Sequence, residues 1–235
     1  MEKLVYVLWK KSELDAAEFS AALRGRVADR LRAAGIRHEL RVLVADDAVE
    51  PFEHIRMTRF DPPVAGMVSF WLDVADDRAE HEAALDEICD RKAGYLVVES
   101  VPIVNTTHAA PLGERTDGVT QLACIEVPDF IDYDDWLAHW HGHHRRVAEE
   151  TQSTYLYVRN VVVRALTDDA PGWAGIVEEG FPTAAMTDPT VWYAADGDQE
   201  KFQVNMARML DSVEKFLDIS RVETNPLSEY LLPVD

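Results

Sequence analysis

The sequence is poor in cysteine, in basic residues and in long hydrophobic runs. Only two of its 235 residues are cysteine, and Cys89 and Cys124 form neither a CxxC pair nor a metal-ligand spacing. We therefore expect two buried, reduced thiols. The first apolar run, residues 4–9, is far shorter than the core of a signal peptide or a membrane span, so we expect a cytoplasmic protein.

Lysine and arginine number 23 against 43 aspartate and glutamate residues, which gives a formal net charge of -20. Such a surplus of negative charge repels phosphate backbones and anionic lipid headgroups, so neither nucleic acid nor a membrane is expected as a partner. The sequence also lacks a glycine-rich phosphate loop, a GxSxG nucleophile elbow and a catalytic Cys/His spacing. These absences argue against nucleotide, α/β-hydrolase and thiol chemistry.

Hydrophobic periodicity predicts strands and helices in the same order in both halves of the chain. The first half predicts a strand at 4–9, a helix at 12–34 capped by Ser12, strands at 38–45 and 66–73, a helix at 77–92 and a strand at 95–104. Residues 105–118 have the composition of a linker. The second half predicts strands at 121–127, 154–165, 174–179 and 219–224, with helices at 132–152 and 199–217.

Two short matches indicate that the second half repeats the first. Residues 15–19 align with 132–136, and residues 65–68 resemble 174–177 at a slightly different offset. The order βαββαβ, given twice, predicts an α+β protein of two tandem ferredoxin-like units, residues 1–112 and 113–235, whose sheets form an intramolecular α/β barrel. Two independent domains are the alternative.

Candidate chemistry is concentrated in the helix at 135–151, which carries four of the eight histidines and two of the six tryptophans. A helical wheel places Trp136, Trp140 and His144 on one inward stripe. Burial disfavours the cationic imidazole, so His144 is expected to be neutral near pH 7 and able to act as a general base. The repeat places Val27 at the equivalent position of the first half, which therefore lacks this group.

The residues around this helix resemble a known family. The spacing Trp136-x-x-x-Trp140-x-x-x-His144 precedes a strand with Tyr157-Val-Arg-Asn160 and a later segment that ends in Glu178. These motifs are similar to those of EthD-domain proteins of the dimeric α/β-barrel superfamily. The resemblance is strongest over residues 119–217 and is only architectural over the first half. Arg145 and Arg146 replace the family's Ala-Pro, His139 replaces its Tyr, and Val161 replaces its strand histidine.

The resemblance implies a cofactor-independent lyase, cyclase or isomerase that acts on a hydrophobic aromatic or polyketide-like carbonyl or phenolic compound. It carries His144 over as the proton-transfer residue, with Asn160 polarising an oxygen and Glu178 orienting the histidine or acting as a second acid/base. The pocket is expected between helix and sheet of the second unit, with four residues binding the substrate: Trp136, Trp140, Tyr157 and His141. The expected partner is a small hydrophobic molecule, and a homodimer is left open.

Three alternatives remain open at this stage. A cofactor-free oxygenase would use the same base to form a carbanion that meets dioxygen. A binding or accessory protein would hold a hydrophobic metabolite, with His144 only a buried core histidine. A metal site at His139 and His143, which share a helix face at the zinc-binding spacing, is not favoured because no third ligand cluster is evident.

Overall fold

The computed structural model describes residues 1–234, apart from the side chains of residues 53 and 54, so Asp235, the last residue of the second predicted unit, lies outside the described residues. The strands in the described part of the chain are β1 Glu2–Lys10, β2 Leu40–Val44, β3 Gly66–Leu72, β4 Cys89–Ile103, β5 Val119–Ile125, β6 Leu156–Ala165, β7 Gly175–Phe181 and β8 Glu223–Leu232. The α-helices are α1 Ala16–Ala22, α2 Ala28–Ala33, α3 Ala79–Leu85, α4 Tyr133–Ala138, α5 Arg145–Thr151, α6 Pro189–Trp192 and α7 Gln199–Val213.

The strands form one closed antiparallel barrel in the order β1-β3-β2-β8-β5-β7-β6-β4. The first half of the chain contributes neighbours in the order β4-β1-β3-β2, and the second half contributes β8-β5-β7-β6, the same order within each half. The halves meet where β2 pairs with β8 and where β4 pairs with β6. This confirms the prediction that the sheet closes into an α+β barrel inside one chain.

Side-chain alternation along the strands separates the core into an interior and two outer layers. On β1, Val5 and Val7 pack inside the barrel, whereas Leu4 and Tyr6 pack outward against the helices of the first half. The helices of the second half cover the other outer face, where Trp136 joins strand residues in a separate cluster. Neighbouring residues on a strand therefore face different surroundings: one faces the barrel interior and the next faces the covering helices.

A buried cluster of charged and polar side chains lies at one end of the barrel interior; we call it the interior cluster. Lys3 Nζ contacts the carboxylate of Glu99 and donates to Asn160 Oδ1 at 2.9 Å. Asn160 Nδ2 donates to Glu178 Oε1 at 2.9 Å, and Arg41 donates to Glu178 Oε2 at 3.0 Å. Two of these contacts, Lys3 to Asn160 and Arg41 to Glu178, cross from strands of the first half to strands of the second.

Several predicted element boundaries were wrong, and three of them have a clear physical reason. The first helix begins after Asp15, because Asp15 and Glu18 form a reciprocal capping box that Ser12 does not form. The helix predicted to reach residue 92 ends at Leu85, since β4 already pairs with β1 from Cys89 onward. The last strand is Glu223–Leu232 and not 219–224; its polar inward residues concealed the strand pattern.

Two pairs of consecutive helices, one in each half of the chain, are joined by a π-helical segment at matching positions. Leu23–Val27 links α1 to α2, and His139–His144 links α4 to α5. Gly25 and Gly142 lie inside these segments at the same offset that aligns residues 15–19 with 132–136. In the second segment the backbone N–H of Arg145 bonds to the carbonyl of Trp140, five residues earlier. Such segments are frequent at functional sites, so the histidine-rich turn has an unusual backbone as well as an unusual composition.

We expect Glu178→Gln to lower the free energy of unfolding at pH 7 by about 3 kcal/mol, because it removes the fully buried carboxylate that Arg41 and Lys3 share. Burial opposes the charge of Glu178, but Arg41, Lys3 and Asn160 outweigh that effect and keep the pKa of Glu178 below its ordinary value. A carboxyl with a lowered pKa stabilises the fold above its unfolded pKa and loses that contribution as pH falls.

Urea unfolding at pH 7 and at pH 3.5 measures this effect. The difference between wild type and variant should shrink at the lower pH. The exposed Glu13→Gln is the matched control, and its stability should follow the wild type. An unchanged stability of Glu178→Gln at pH 7 would contradict this description of the interior cluster.

Candidate functional site

A largely apolar cavity of about 380 Å³ lies between the outer face of the second-half strands and the helices that cover them. It is separate from the interior cluster, which lies on the other side of the same strands. Strands β5 to β8, α7 and the end of the π segment all contribute to its wall. The lining residues that matter below are Trp140, His144, Tyr157, Glu179, Tyr193 and Phe216.

His144 enters the cavity from the last position of the π segment. Its Nδ1 lies 3.1 Å from Ser212 Oγ on α7, and its ring lies 4.6 Å from that of Phe216. Burial, together with the neighbouring His139 and His143, lowers the pKa of His144 to about 3. The imidazole is therefore neutral at physiological pH, as its aromatic surroundings lead one to expect.

Glu179 on β7 is the carboxyl group that faces this cavity. Within residues 1–234 it has neither a hydrogen bond nor an ion pair, and burial raises its pKa to about 7. An unpaired carboxyl in apolar surroundings costs stability when it ionises, so its presence needs a reason other than folding. A pKa close to ambient pH is the value that suits a general acid or base.

Tyr157 and Trp140 form a hydrogen-bonded pair in the cavity wall. Trp140 Nε1 donates to the Tyr157 hydroxyl at 3.1 Å, and Tyr157 lies directly opposite Glu179 in the pairing of β6 with β7. Burial, and then the charge of Glu179, raise the pKa of Tyr157, so its hydroxyl stays protonated. The hydroxyl proton has no acceptor among the described residues, which leaves it able to bind an oxygen in the cavity.

A glycine shapes the same wall. A Cβ atom at Gly175 would lie 2.6 Å from the Trp140 ring. Since real Cβ atoms do not approach so closely, the indole can occupy its place only because residue 175 has no side chain.

The structure corrects the expectation that Asn160 and Glu178 share a pocket with His144. Both are fully buried in the interior cluster, where Asn160 bonds to Lys3 and to Glu178. Strand alternation is the physical reason: Glu178 and Glu179 are neighbours, so they face opposite sides of β7. The sequence indicated that one of the two faces inward and one outward, but nothing in it identified which face carries the cavity.

The two remaining predicted binding residues lie behind the cavity wall. Trp136 is fully buried and packs on Trp140, with ring centroids 5.0 Å apart. His141 packs its ring 4.9 Å from that of Trp140. Burial, and then the charge of Arg159, lower the pKa of His141 to about 4. Both side chains support Trp140 and do not line the cavity.

The structure gives the positions of His139 and His143, the two histidines of the alternative metal site. His139 and His143 have ring centroids 4.9 Å apart, but His139 Nε2 lies 3.1 Å from the carbonyl oxygen of Ser212. No group of three or more His, Cys, Asp or Glu side chains with metal-binding geometry occurs in the described part of the chain.

Among the described residues, no helix combines the length and the apolar character that spanning a bilayer requires.

No family model and no curated protein sequence matches the chain. Among solved structures, an anthrone oxidase-like protein matches with a TM-score of 0.57 at 11% identity, covering 98% of this chain and 92% of the other. A proposed monooxygenase of Lactobacillus acidophilus gives a TM-score of 0.48 at 12% identity, covering 99% of this chain and 96% of the other. A dye-decolorizing peroxidase of Bacteroides thetaiotaomicron gives a TM-score of 0.48 at 10% identity, covering 100% of this chain and 93% of the other.

At these identities the comparisons bear on the fold, and only the first has a TM-score above 0.5. The likeness to the anthrone oxidase-like protein shows that the chain shares the fold of that protein, and the fold contains one closed antiparallel barrel. A shared fold does not determine an activity, so the chemistry has to be argued from the cavity.

We expect Glu179→Gln to stabilise the protein at pH 8 by about 2–3 kcal/mol and to leave its stability unchanged near pH 4. The folded-state pKa of Glu179 lies above the unfolded value, so the wild type loses stability as pH rises from about 4.3 through 7. The amide does not ionise and escapes this loss. Urea unfolding across this pH range gives the measurement, and Glu178→Gln, which changes the adjacent residue, should show the opposite sign at pH 8. A destabilised Glu179→Gln at pH 8 would refute the assignment.

Proposed function

We propose that the protein is a cofactor-independent acid/base enzyme whose active site is the cavity between the second-half helices and strands. The observation that carries the proposal is the pairing of an unpartnered carboxyl group, Glu179, with a neutral imidazole, His144, in one largely apolar cavity. The two groups differ in acidity, as the acid and the base of one reaction must.

The cavity favours a hydrophobic, aromatic or polyketide-like carbonyl or phenolic compound. Trp140 and Phe216 offer flat apolar surfaces, and a volume of about 380 Å³ fits a ligand of two to three fused rings. Tyr157 adds a hydroxyl donor for a substrate oxygen. Proton removal next to a carbonyl, followed by isomerisation, cyclisation or elimination, needs only groups that this wall contains.

The finer classification of the chain forms part of the proposal. We infer an EthD-like protein made of two tandem ferredoxin-like units, residues 1–112 and 113–235, because the strand order is the same in each half and the motif helix carries His144 into the cavity. The unpaired, buried Cys89 and Cys124 support a cytoplasmic location. A homodimer is the assembly that we would examine first.

A cofactor-free oxygenase is the second candidate function. The anthrone oxidase-like protein shares the fold, and the same deprotonation would generate the carbanion that such a reaction needs. Oxygen consumption during turnover separates the two candidates, because isomerisation, cyclisation and elimination consume none. A binding protein would hold the compound without any proton exchange.

We expect the protein to catalyse the exchange of hydrogens on the carbon next to a carbonyl with solvent deuterium, in compounds such as β-tetralone and anthrone. Proton NMR measures this exchange as the loss of the corresponding signal. His144→Ala and Glu179→Gln should each slow this exchange by about 10²–10³-fold, the usual loss for a group that acts on the reacting atoms. His143→Ala is the matched control, since His143 is exposed on the same turn. Binding without exchange across a broad panel of such compounds would contradict the proposal.

A further inference from the structure

One buried hydroxyl, that of Ser212, connects two histidines of the π segment. His139 Nε2 lies 3.1 Å from the Ser212 carbonyl oxygen and 3.3 Å from its Oγ. His144 Nδ1 lies 3.1 Å from the same Oγ. Ser212 has no exposed surface, and its hydroxyl has no other hydrogen-bond partner among the described residues. The positions of the protons along this chain can therefore be derived from donor and acceptor capacity.

The derivation begins at the carbonyl oxygen of Ser212, which can only accept. His139 Nε2 must therefore carry a proton, and the same N–H also faces Ser212 Oγ. The hydroxyl cannot donate back to a nitrogen that is already protonated. Its own proton has one acceptor left, the Nδ1 of His144.

The reverse arrangement is unfavourable. If His144 Nδ1 donated to Ser212, the oxygen would face two donors, and its own proton would be buried without an acceptor. A buried unsatisfied donor loses its hydration without recovering a bond. The first arrangement places the one proton of the neutral imidazole on Nε2, the nitrogen away from Ser212.

We infer that His144 presents an N–H to the cavity and acts as the hydrogen-bond donor to a substrate carbonyl oxygen, while the Glu179 carboxylate is the general base. This division of roles rests on the proposed function and names its substrate class: a hydrophobic carbonyl compound with an acidic C–H next to the carbonyl. It reverses the role of base that the sequence led us to expect for His144.

The step balances without any further reactant. The Glu179 carboxylate takes the proton from the carbon next to the carbonyl, and the C–H electron pair becomes a C=C bond. The carbonyl π pair moves onto oxygen, which accepts hydrogen bonds from His144 Nε2–H and from the Tyr157 hydroxyl. In a substrate that also has a C=C bond next to that carbon, the oxygen electron pair re-forms the carbonyl and Glu179 returns the proton to the far carbon of the original C=C bond. The double bond thereby moves into conjugation with the carbonyl, which completes an isomerisation in which nothing is oxidised or reduced.

Nitrogen NMR of the histidine-labelled, full-length protein tests the tautomer directly at pH 7, with His144→Gln used to assign the signals. We expect His144 Nδ1 to be unprotonated and Nε2 to be protonated, and Ser212→Ala to change this pattern, whereas the exposed Ser220→Ala should not. A protonated Nδ1 in the wild type would overturn the inference. This measurement needs no substrate, so it is independent of whether the proposed function holds.

Deuterium exchange then tests the division of roles. The side-chain amide of His144→Gln keeps an N–H but has no basic nitrogen, so its exchange rate should stay within about tenfold of the wild type, while His144→Ala falls by about 10²–10³-fold. Equal loss in both variants would overturn the role of donor. Exchange absent from the wild type, with the expected nitrogen spectrum, would overturn the proposed function and leave the tautomer standing.

The dependence of the deuterium exchange rate on pH is a second measurement of whether Glu179 is the base. The titratable groups that face Glu179 in the cavity are His144 from the π segment, Tyr157 from β6 and Tyr193 beyond α6, while Gln121 and Thr224 from β5 and β8 are uncharged. The pKa of His144 is about 3, and those of both tyrosines are raised by burial. Exchange should rise through about pH 7 as Glu179 ionises, with no falling limb up to pH 9. A rate that falls through pH 7 would mean that Glu179 is the acid and would overturn the inference.

Discussion

Each strand of the barrel presents alternate side chains to the interior and to the helices, and both faces of the sheet are buried. This constraint places Glu178 and Glu179 in different environments although they are adjacent. Glu178 joins Arg41 and Lys3 inside the barrel, whereas Glu179 faces an apolar cavity beneath the second-half helices. The position of each strand residue discussed above depends on that alternation.

The two carboxyl groups illustrate how the surroundings set acidity. Glu178 is fully buried and Glu179 is partly buried, and burial alone raises the pKa of a carboxyl group. Two cations and an amide reverse that effect at Glu178, so it holds its charge and links the two halves of the barrel. Glu179 has no such partners, and its pKa remains near 7. One residue thus serves folding and its neighbour is available for chemistry.

Much of the architecture could be predicted from the sequence. Hydrophobic periodicity and the short internal matches gave the order of elements and barrel closure, and the helical wheel placed His144 beside Trp140. The predictions failed where tertiary contacts decide: β4 begins at Cys89 through its pairing with β1, and polar inward residues concealed β8. The π segment also left no periodic signal, although Gly142 marked its place.

The error in the predicted site has a single cause. Motif similarity carried Glu178 over, but alternation allowed either of two adjacent glutamates, and only the closed barrel shows that the cavity lies on the side of Glu179. Ser212 could not be found from the sequence because it is an ordinary helix residue whose partners lie far away along the chain. Its role depends on the packing of α7 against the π segment.

The central claim is that a carboxyl group and a neutral imidazole share an apolar cavity in which the carboxyl titrates near neutral pH. Carbon NMR of the glutamate side chains across pH 4–9, with Glu179→Gln used for assignment, tests it most directly. The account predicts that the Glu179 carboxyl ionises at about pH 7. Ionisation near pH 4, as in an exposed glutamate, would contradict it.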